Sequence, residues 1–196
     1  MKETTWQSIQ HGDCEAFRQL HNEHVRHLLN YGLRLCGSIS TVEDCVQDVF
    51  TEVWIYRKGI NEPASMRFYL LKAVRNKLKA HYRREQPFIA GWDDNRDALL
   101  LHDFSMEPSE EQRLIALEID AERRQQIRAA MNLLSPRQRE IIYLRYFNDL
   151  SYEQICDLMG VNYQTARSQV YSSLKVLRNE LKDSRLFLAL PVFLIF

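Results

Sequence analysis

Apolar residues recur every three or four positions along most of the chain, and the strict alternation that marks half-buried strands is nearly missing. No hairpin dipeptide interrupts these runs, and Gly and Pro are few, so the pattern predicts helices throughout. A first helix runs through Phe17, Leu20, His24, Leu28 and Tyr31 and should end near Gly37. Thr41 is expected to cap a second, whose buried face is Val46, Val49, Phe50, Val53 and Trp54. Asp44, Asp48 and Glu52 line up on another side at steps of four. Residues 59–65, with Pro63 inside, break the period and read as a loop. On a helical wheel of residues 67–84, Lys72, Arg75, Lys79 and Arg83 fall within about 80° of one another, opposite Leu70, Ala73, Val74 and Leu78. One face of this third helix is core and the other cationic.

Farther along, the period fades and then returns. Residues 87–111 contain Gly91, Asn95 and Pro108 and read as a connector, although Phe88, Ile89, Trp92, the Leu99–Leu101 run and Phe104 leave docking on a surface open. A second helical unit starts near Ser109 and runs through Leu114, Leu117 and Ile127 to Leu133. Ser135-Pro136-Arg137-Gln138 is a capping box with Pro at the first helical position, and Ser151-Tyr152-Glu153-Gln154 repeats the device. The second box opens a short helix with Ile155, Leu158 and Met159 inward, and Gly160 ends it. Asn162 can cap a last helix with the apolar stripe Ala166, Val170, Leu174, Leu177 and Leu181. Its other face, Gln164, Arg167, Ser168, Tyr171, Lys175 and Arg178, has the hydrogen-bonding and cationic chemistry that reads base edges between phosphates. A short capped helix, a glycine turn and a longer basic-faced helix make a helix-turn-helix. An αα-hairpin with a solvated face is the plainer reading, against which stands a face whose only acid is Glu180.

Composition changes the picture through the placement of charge. The 196-residue chain has 26 basic and 26 acidic residues and a formal charge of zero, which on its own argues against nucleic acid. Residues 63–84, however, hold seven bases (Arg67, Lys72, Arg75, Lys77, Lys79, Arg83, Arg84) and no acid. Residues 87–111 hold seven acids against Arg96 alone, so a nucleic-acid face adjoins an acidic connector. Cys14, Cys36, Cys45 and Cys156 lack paired spacing and follow a polar start with no signal peptide, which reads as reduced thiols in a cytoplasmic protein. His21, His24 and His27 drift around a helix at three-residue spacing without a CxxC or HExxH partner, so they read as scattered helix histidines and no metal site is expected. The chain holds no Ser/His/Asp set and no glycine-rich phosphate loop, so neither an enzyme nor a cofactor is expected.

Two runs carry a family resemblance. Leu134-Ser135-Pro136-Arg137-Gln138-Arg139-Glu140, Leu144-Arg145-Tyr146-Phe147, Leu150-Ser151-Tyr152-Glu153-Gln154-Ile155 and Gln164-Thr165-Ala166-Arg167-Ser168-Gln169 resemble region four of the extracytoplasmic-function sigma factors of bacterial RNA polymerase. Val42-Glu43-Asp44-Cys45-Val46-Gln47-Asp48-Val49-Phe50 with Trp54 is similar to the core-binding helix of region two in that family. Phe68-Tyr69-Leu70-Leu71-Lys72-Ala73-Val74-Arg75-Asn76 is similar to its promoter-melting helix. The resemblance implies an all-α chain of two small helical domains joined by an acidic linker: region two over 1–86, linker over 87–111, region four over 112–183 and a hydrophobic tail over 184–196. It implies a protein that directs core RNA polymerase, through its beta and beta-prime subunits, to promoter DNA and nucleates opening, under an anti-sigma factor. Asp44, Gln47, Asp48, Phe50, Glu52 and Trp54 would then bind core polymerase. The loop before the third helix would capture a flipped base, giving Asn61, Ser65, Met66, Arg67, Lys72, Arg75, Asn76, Lys79 and Arg83 to minus-ten DNA, with Phe68, Tyr69 or Tyr82 available for stacking. Gln164, Thr165, Arg167, Ser168 and Tyr171 would read minus-thirty-five DNA, with Lys175 and Arg178 on phosphates. The linker would thread toward the polymerase cleft or serve only as a tether.

The chain departs from the family where Tyr69 replaces a frequent Trp and where Ser172 and Ser173 stand in place of common basic residues, which implies weaker nonspecific DNA affinity. Its tail, residues 186–196, is wholly apolar and would span only about 17 Å as a helix, too short to insert stably in a membrane. Such a tail would dock on a groove of its own chain or on a partner. The alternative function is a stand-alone helix-turn-helix regulator that binds duplex DNA without polymerase. A metal- or redox-sensing anti-sigma-like protein is more distant.

Overall fold

The computed structural model describes residues 5–85 and 121–181; the expected connector over 87–111, the expected helix start near Ser109 and the apolar tail lie outside the described residues. The chain divides into two compact units, Met1–Gly91 and Trp92–Phe196. Every regular element among the described residues is helical.

The first unit contains α1 (Thr5–His11), α2 (Cys14–Leu35), α3 (Ile39–Tyr56) and α4 (Met66–Glu85). The three long helices pack on one another, and α1 lies along α2. Their shared core is Leu20, Leu28, Tyr31 and Leu35 from α2, Val42, Val46, Val49, Phe50 and Val53 from α3, and Leu70, Leu71, Val74 and Leu78 from α4. Close approach of α2 to α3 depends on Gly32, where a Cβ would stand 2.5 Å from Val42 Cγ1. Helix α2 starts at Asp13, whose carboxylate accepts from Glu15 N at 2.8 Å and Ala16 N at 3.1 Å. Helix α3 starts one turn earlier than Thr41: Ser38 is the cap, and its hydroxyl accepts from Thr41 N. The short helix α1 has no counterpart in the expected set, because seven residues give too few turns for a period to show. It is nonetheless anchored, with Trp6 and Ile9 both buried.

The second unit contains α5 (Ala121–Asn132), α6 (Pro136–Ile142), α7 (Tyr152–Met159) and α8 (Tyr163–Glu180). Both expected capping boxes form: Ser135 with Gln138 and Ser151 with Gln154 each exchange backbone-to-side-chain hydrogen bonds of 2.9–3.3 Å. Asn162 Oδ1 accepts from Thr165 N at 2.8 Å and caps α8. Each such cap contributes about 1 kcal/mol. Gly160 closes α7 at φ 63°, the left-handed conformation that lets the chain turn into α8 at little steric cost. Helix α6 does not stop at Ile142 but widens into a π-helical turn over Tyr143–Phe147, with Asn148 N donating to Tyr143 O at 3.2 Å. The stacking of Tyr143 on Phe147, centroids 4.5 Å apart, accompanies that wider turn. Helix α8 packs against α5, α6 and α7, with Ala166, Val170, Ser173 and Leu177 buried.

Candidate functional site

Three faces gather the residues singled out from the sequence, two on the first unit and one on the second. On the first unit, α2 and α3 leave between them a groove of about 580 Å³. Phe17, Val25, Leu29, Val46 and Trp54 line it, with Gln47, Glu43 and Thr51 among the polar groups beside them. Trp54 is half-buried and lies 4.9 Å from the Phe17 ring, with the Arg57 guanidinium 4.1 Å over the Trp54 ring. Gln47 is exposed in this groove, whereas Asp44, Asp48 and Glu52 are exposed on α3 outside its lining, Asp48 and Glu52 toward α4. Phe50 is not a surface residue: it is 4 % exposed, wedged against His21 and Phe17, and supports the groove from within. The acidic stripe is also partly compensated inside the unit. Lys77 Nζ on α4 reaches Glu52 Oε1 at 2.8 Å and Asp48 Oδ2 at 3.3 Å, and hydrogen bonding to these carboxylates raises the Lys77 pKa. Sequence reasoning placed Lys77 with the cationic residues and missed this pairing, because nothing in the spacing shows that α4 crosses α3 at that height.

The second face combines the loop at residues 57–65 with α4. Asn61 is exposed, and Met66 and Arg67 are half-buried. Ser65 has a local task, its hydroxyl accepting from Phe68 N at 3.3 Å to start α4. Arg67 faces α2, where its charge, together with burial as the larger cause, lowers the pKa of His24 and His27. Lys72 lies 5.8 Å over the Phe68 ring, and Lys72, Lys79 and Arg83 retain solvent access along with Asn76. Arg75 does not belong to this face. It is 1 % exposed, and its Nη1 donates to Tyr31 Oη at 2.9 Å inside the core. A guanidinium so buried is held by hydrogen bonds within the fold and contributes no contact to a strand of DNA. Among the described residues no group of three or more His, Cys, Asp or Glu is placed to hold a metal ion.

The third face is the outer side of α8. Gln164, Arg167, Ser168, Tyr171, Lys175 and Arg178 are all exposed and share one side of the helix, and Thr165 is half-buried at its start. Tyr171, at 71 %, is the most exposed large hydrophobic side chain among the described residues. The Ser168 hydroxyl donates to Thr165 O at 3.0 Å, fixing its rotamer. The two serines after Tyr171 prove different from one another. Ser172 is exposed and receives Gln138 Nε2 at 3.4 Å, whereas Ser173 is fully buried and its hydroxyl donates to Gln169 O at 2.6 Å. Ser173 therefore fills a core position, and only Ser172 stands where a basic residue could meet DNA; Leu174, expected in the buried stripe, is half-buried beside it. Tyr163, exposed at the first turn of α8 and packed edge-on to Tyr152, lies next to Gln164 and was not marked by the period.

Two family models match the chain, one in each unit. Residues 20–88 match the family described as Sigma-70 region 2, and residues 124–177 match Sigma-70, region 4. The extracytoplasmic-function (ECF) RNA polymerase sigma factor SigK of Mycolicibacterium vanbaalenii is 25 % identical over 85 % of this chain and 82 % of its own. SigL of Mycobacterium tuberculosis is 28 % identical over 87 % of this chain and 92 % of its own. The chain belongs to the ECF sigma factors. Its fold is shared with the sigma factor RpoE of Bartonella quintana in complex with the anti-sigma factor NepR, at TM-score 0.58 and 22 % identity over 87 % of this chain and 99 % of that one. It is also shared with CnrH in complex with the cytosolic domain of CnrY, at TM-score 0.53 and 17 % identity over 91 % and 95 %.

As an ECF sigma factor the protein directs core RNA polymerase to promoters. Both regions present in one chain, in this order, set it apart from a stand-alone helix-turn-helix regulator. None of the helices among the described residues is long and apolar enough to cross a membrane. Helix α1 lies before residue 20, where the match to region 2 begins.

Proposed function

We propose that the three faces divide the work of initiation. The α2–α3 groove with Asp44, Gln47, Asp48, Glu52 and Trp54 docks on core polymerase. Asn61, Ser65, Met66, Arg67, Lys72, Asn76, Lys79 and Arg83 engage the minus-ten strand, and the outer face of α8 reads minus-thirty-five DNA. The observation that carries this reading is α8: a capped helix whose exposed side presents Gln164, Arg167, Ser168, Tyr171, Lys175 and Arg178 together, with Glu180 at its last residue as its one acid. Those side chains offer donors and acceptors to base edges, and cations to phosphates, over a span of about four turns. Strand opening in this reading consumes no nucleotide, since base capture and phosphate contacts offset the cost of unstacking. The protein is a cytoplasmic initiation factor without catalytic activity of its own. RpoE and CnrH are described with anti-sigma partners, NepR and CnrY, and the apolar α2–α3 groove supports an anti-sigma factor as a partner here too.

Run-off transcription with purified core polymerase on genomic fragments tests the reading and recovers the promoter in one experiment. Specific transcripts that require both protein and core enzyme are expected. Tight binding to duplex promoter DNA without polymerase, and no transcript with it, would overturn the proposal.

A further inference from the structure

We propose that helix α1 positions the loop at residues 57–65 for minus-ten recognition, with Trp6 and Gln10 as its positioning residues; the proposal rests on the minus-ten reading of Asn61 and Met66. The physical need arises where α3 ends at Tyr56. Carbonyl groups just past a helix terminus have no helical donor, and a loop whose carbonyls are unfilled has many conformations of similar energy. Two of those carbonyls are filled by α1. Gln10 Nε2 donates to Ile60 O at 2.9 Å and to Arg57 O at 3.3 Å, and Trp6 Nε1 donates to the same Ile60 O at 3.3 Å. These contacts join residues 47 to 54 positions apart in the chain, so they form no part of local turn geometry.

Helix α1 is itself rigidly seated, since Trp6 is 4 % and Ile9 1 % exposed. The loop and α1 also share the walls of one cleft of about 420 Å³, to which Trp6 and Ile9 contribute on one side and Pro63 and Met66 on the other. A shift of α1 would therefore move the segment that carries Asn61 directly. The contact is chemically one-sided: both partners of Gln10 Nε2 are acceptors, so the loop requires a donor at position 10 and gains nothing from the Gln10 carbonyl oxygen. That asymmetry distinguishes positioning from packing, because size and donor capacity can be varied separately.

The test is transcription by the full-length protein with core polymerase on a template pool randomised across the minus-ten element of a promoter recovered by run-off. Discrimination is read as the ratio of transcripts from preferred and disfavoured bases. Gln10→Ala should lower that ratio about fivefold, as loss of a hydrogen-bonding contact implies. Gln10→Glu, which turns a carboxylate toward two carbonyls, should lower it further, Gln10→Lys should stay near the parent because it keeps an N–H donor, and Trp6→Phe should fall between. Affinity for core polymerase should be unchanged in all four. Equal ratios in Gln10→Glu and the parent would overturn the proposal, as would equal losses in the Glu and Lys variants. A fall in ratio that merely tracks lost thermal stability and core affinity would reduce α1 to packing and overturn it as well. Asn61→Ala with Met66→Ala provides the separate control: if that pair leaves discrimination intact, the minus-ten reading itself fails, whatever the Gln10 series shows.

Discussion

Helices α4 and α8 both present basic side chains to solvent and both bury aliphatic ones, but they bury arcs of different width. In α8 the buried positions Ala166, Val170, Ser173, Leu177 and Leu181 cover about 80° of the helix, leaving one uninterrupted polar side. In α4, which packs against α2 and α3, the buried positions Leu70, Leu71, Val74, Arg75 and Leu78 cover about 140°. The wider arc takes in Arg75 at one edge, and Lys77 at the opposite edge turns to the α3 carboxylates. A basic residue near the border of a helical face can thus belong to the core, to an intramolecular ion pair or to a ligand surface. Where the neighbouring helices lie around its axis selects among these.

The largest test of this contrast is Arg75→Ala. Removing a buried guanidinium strips Tyr31 Oη of its donor and opens a cavity, so unfolding free energy should fall by about 4 kcal/mol in a urea titration. A loss of DNA binding with unchanged stability would instead return Arg75 to the cationic face. The paired serines come next. Ser173→Lys forces an ammonium into a fully buried position and should cost about 3 kcal/mol of stability, whereas Ser172→Lys should leave folding within about 0.5 kcal/mol and steepen the salt dependence of promoter binding by about one phosphate contact. Equal stability of the two variants, measured by thermal melting, would contradict the burial pattern of α8.

Arg167→Ala should leave folding unaffected and lower initiation at promoters dependent on a minus-thirty-five element about tenfold, equivalent to one good base contact. Core affinity, followed by fluorescence anisotropy, should not change. The smallest expected effect is on pH. Burial lowers the pKa of His24 and His27 below the ordinary 6.5, so the unfolded chain takes up protons before the folded one does. The stability these neutral rings confer is complete above about pH 6.5 and declines as pH falls toward the folded-state values. The first unit should therefore melt at a lower temperature at pH 5.5 than at pH 7.5, and His24→Gln should shrink that difference. A pH-independent midpoint would mean that the two rings are more hydrated than their burial implies.

What the chain alone determined is local. Capping boxes at Ser135 and Ser151, the Asn162 cap and the left-handed Gly160 depend on side chains within three or four residues of the backbone groups they serve, so spacing reveals them. The outer face of α8 was equally legible, since one narrow buried stripe leaves the opposite side defined by period alone. Helix α1 was too short for a period, and the π-helical turn at Tyr143–Phe147 has no spacing signal. The interior of Arg75, the pairing of Lys77 with Asp48 and Glu52, the burial of Ser173, and the hold of Trp6 and Gln10 on the loop were decided only by tertiary structure. Each depends on which helix lies beside which residue at a given height, and that is fixed by contacts between segments tens of residues apart, with Gly32 against Val42 setting how closely two of those segments meet.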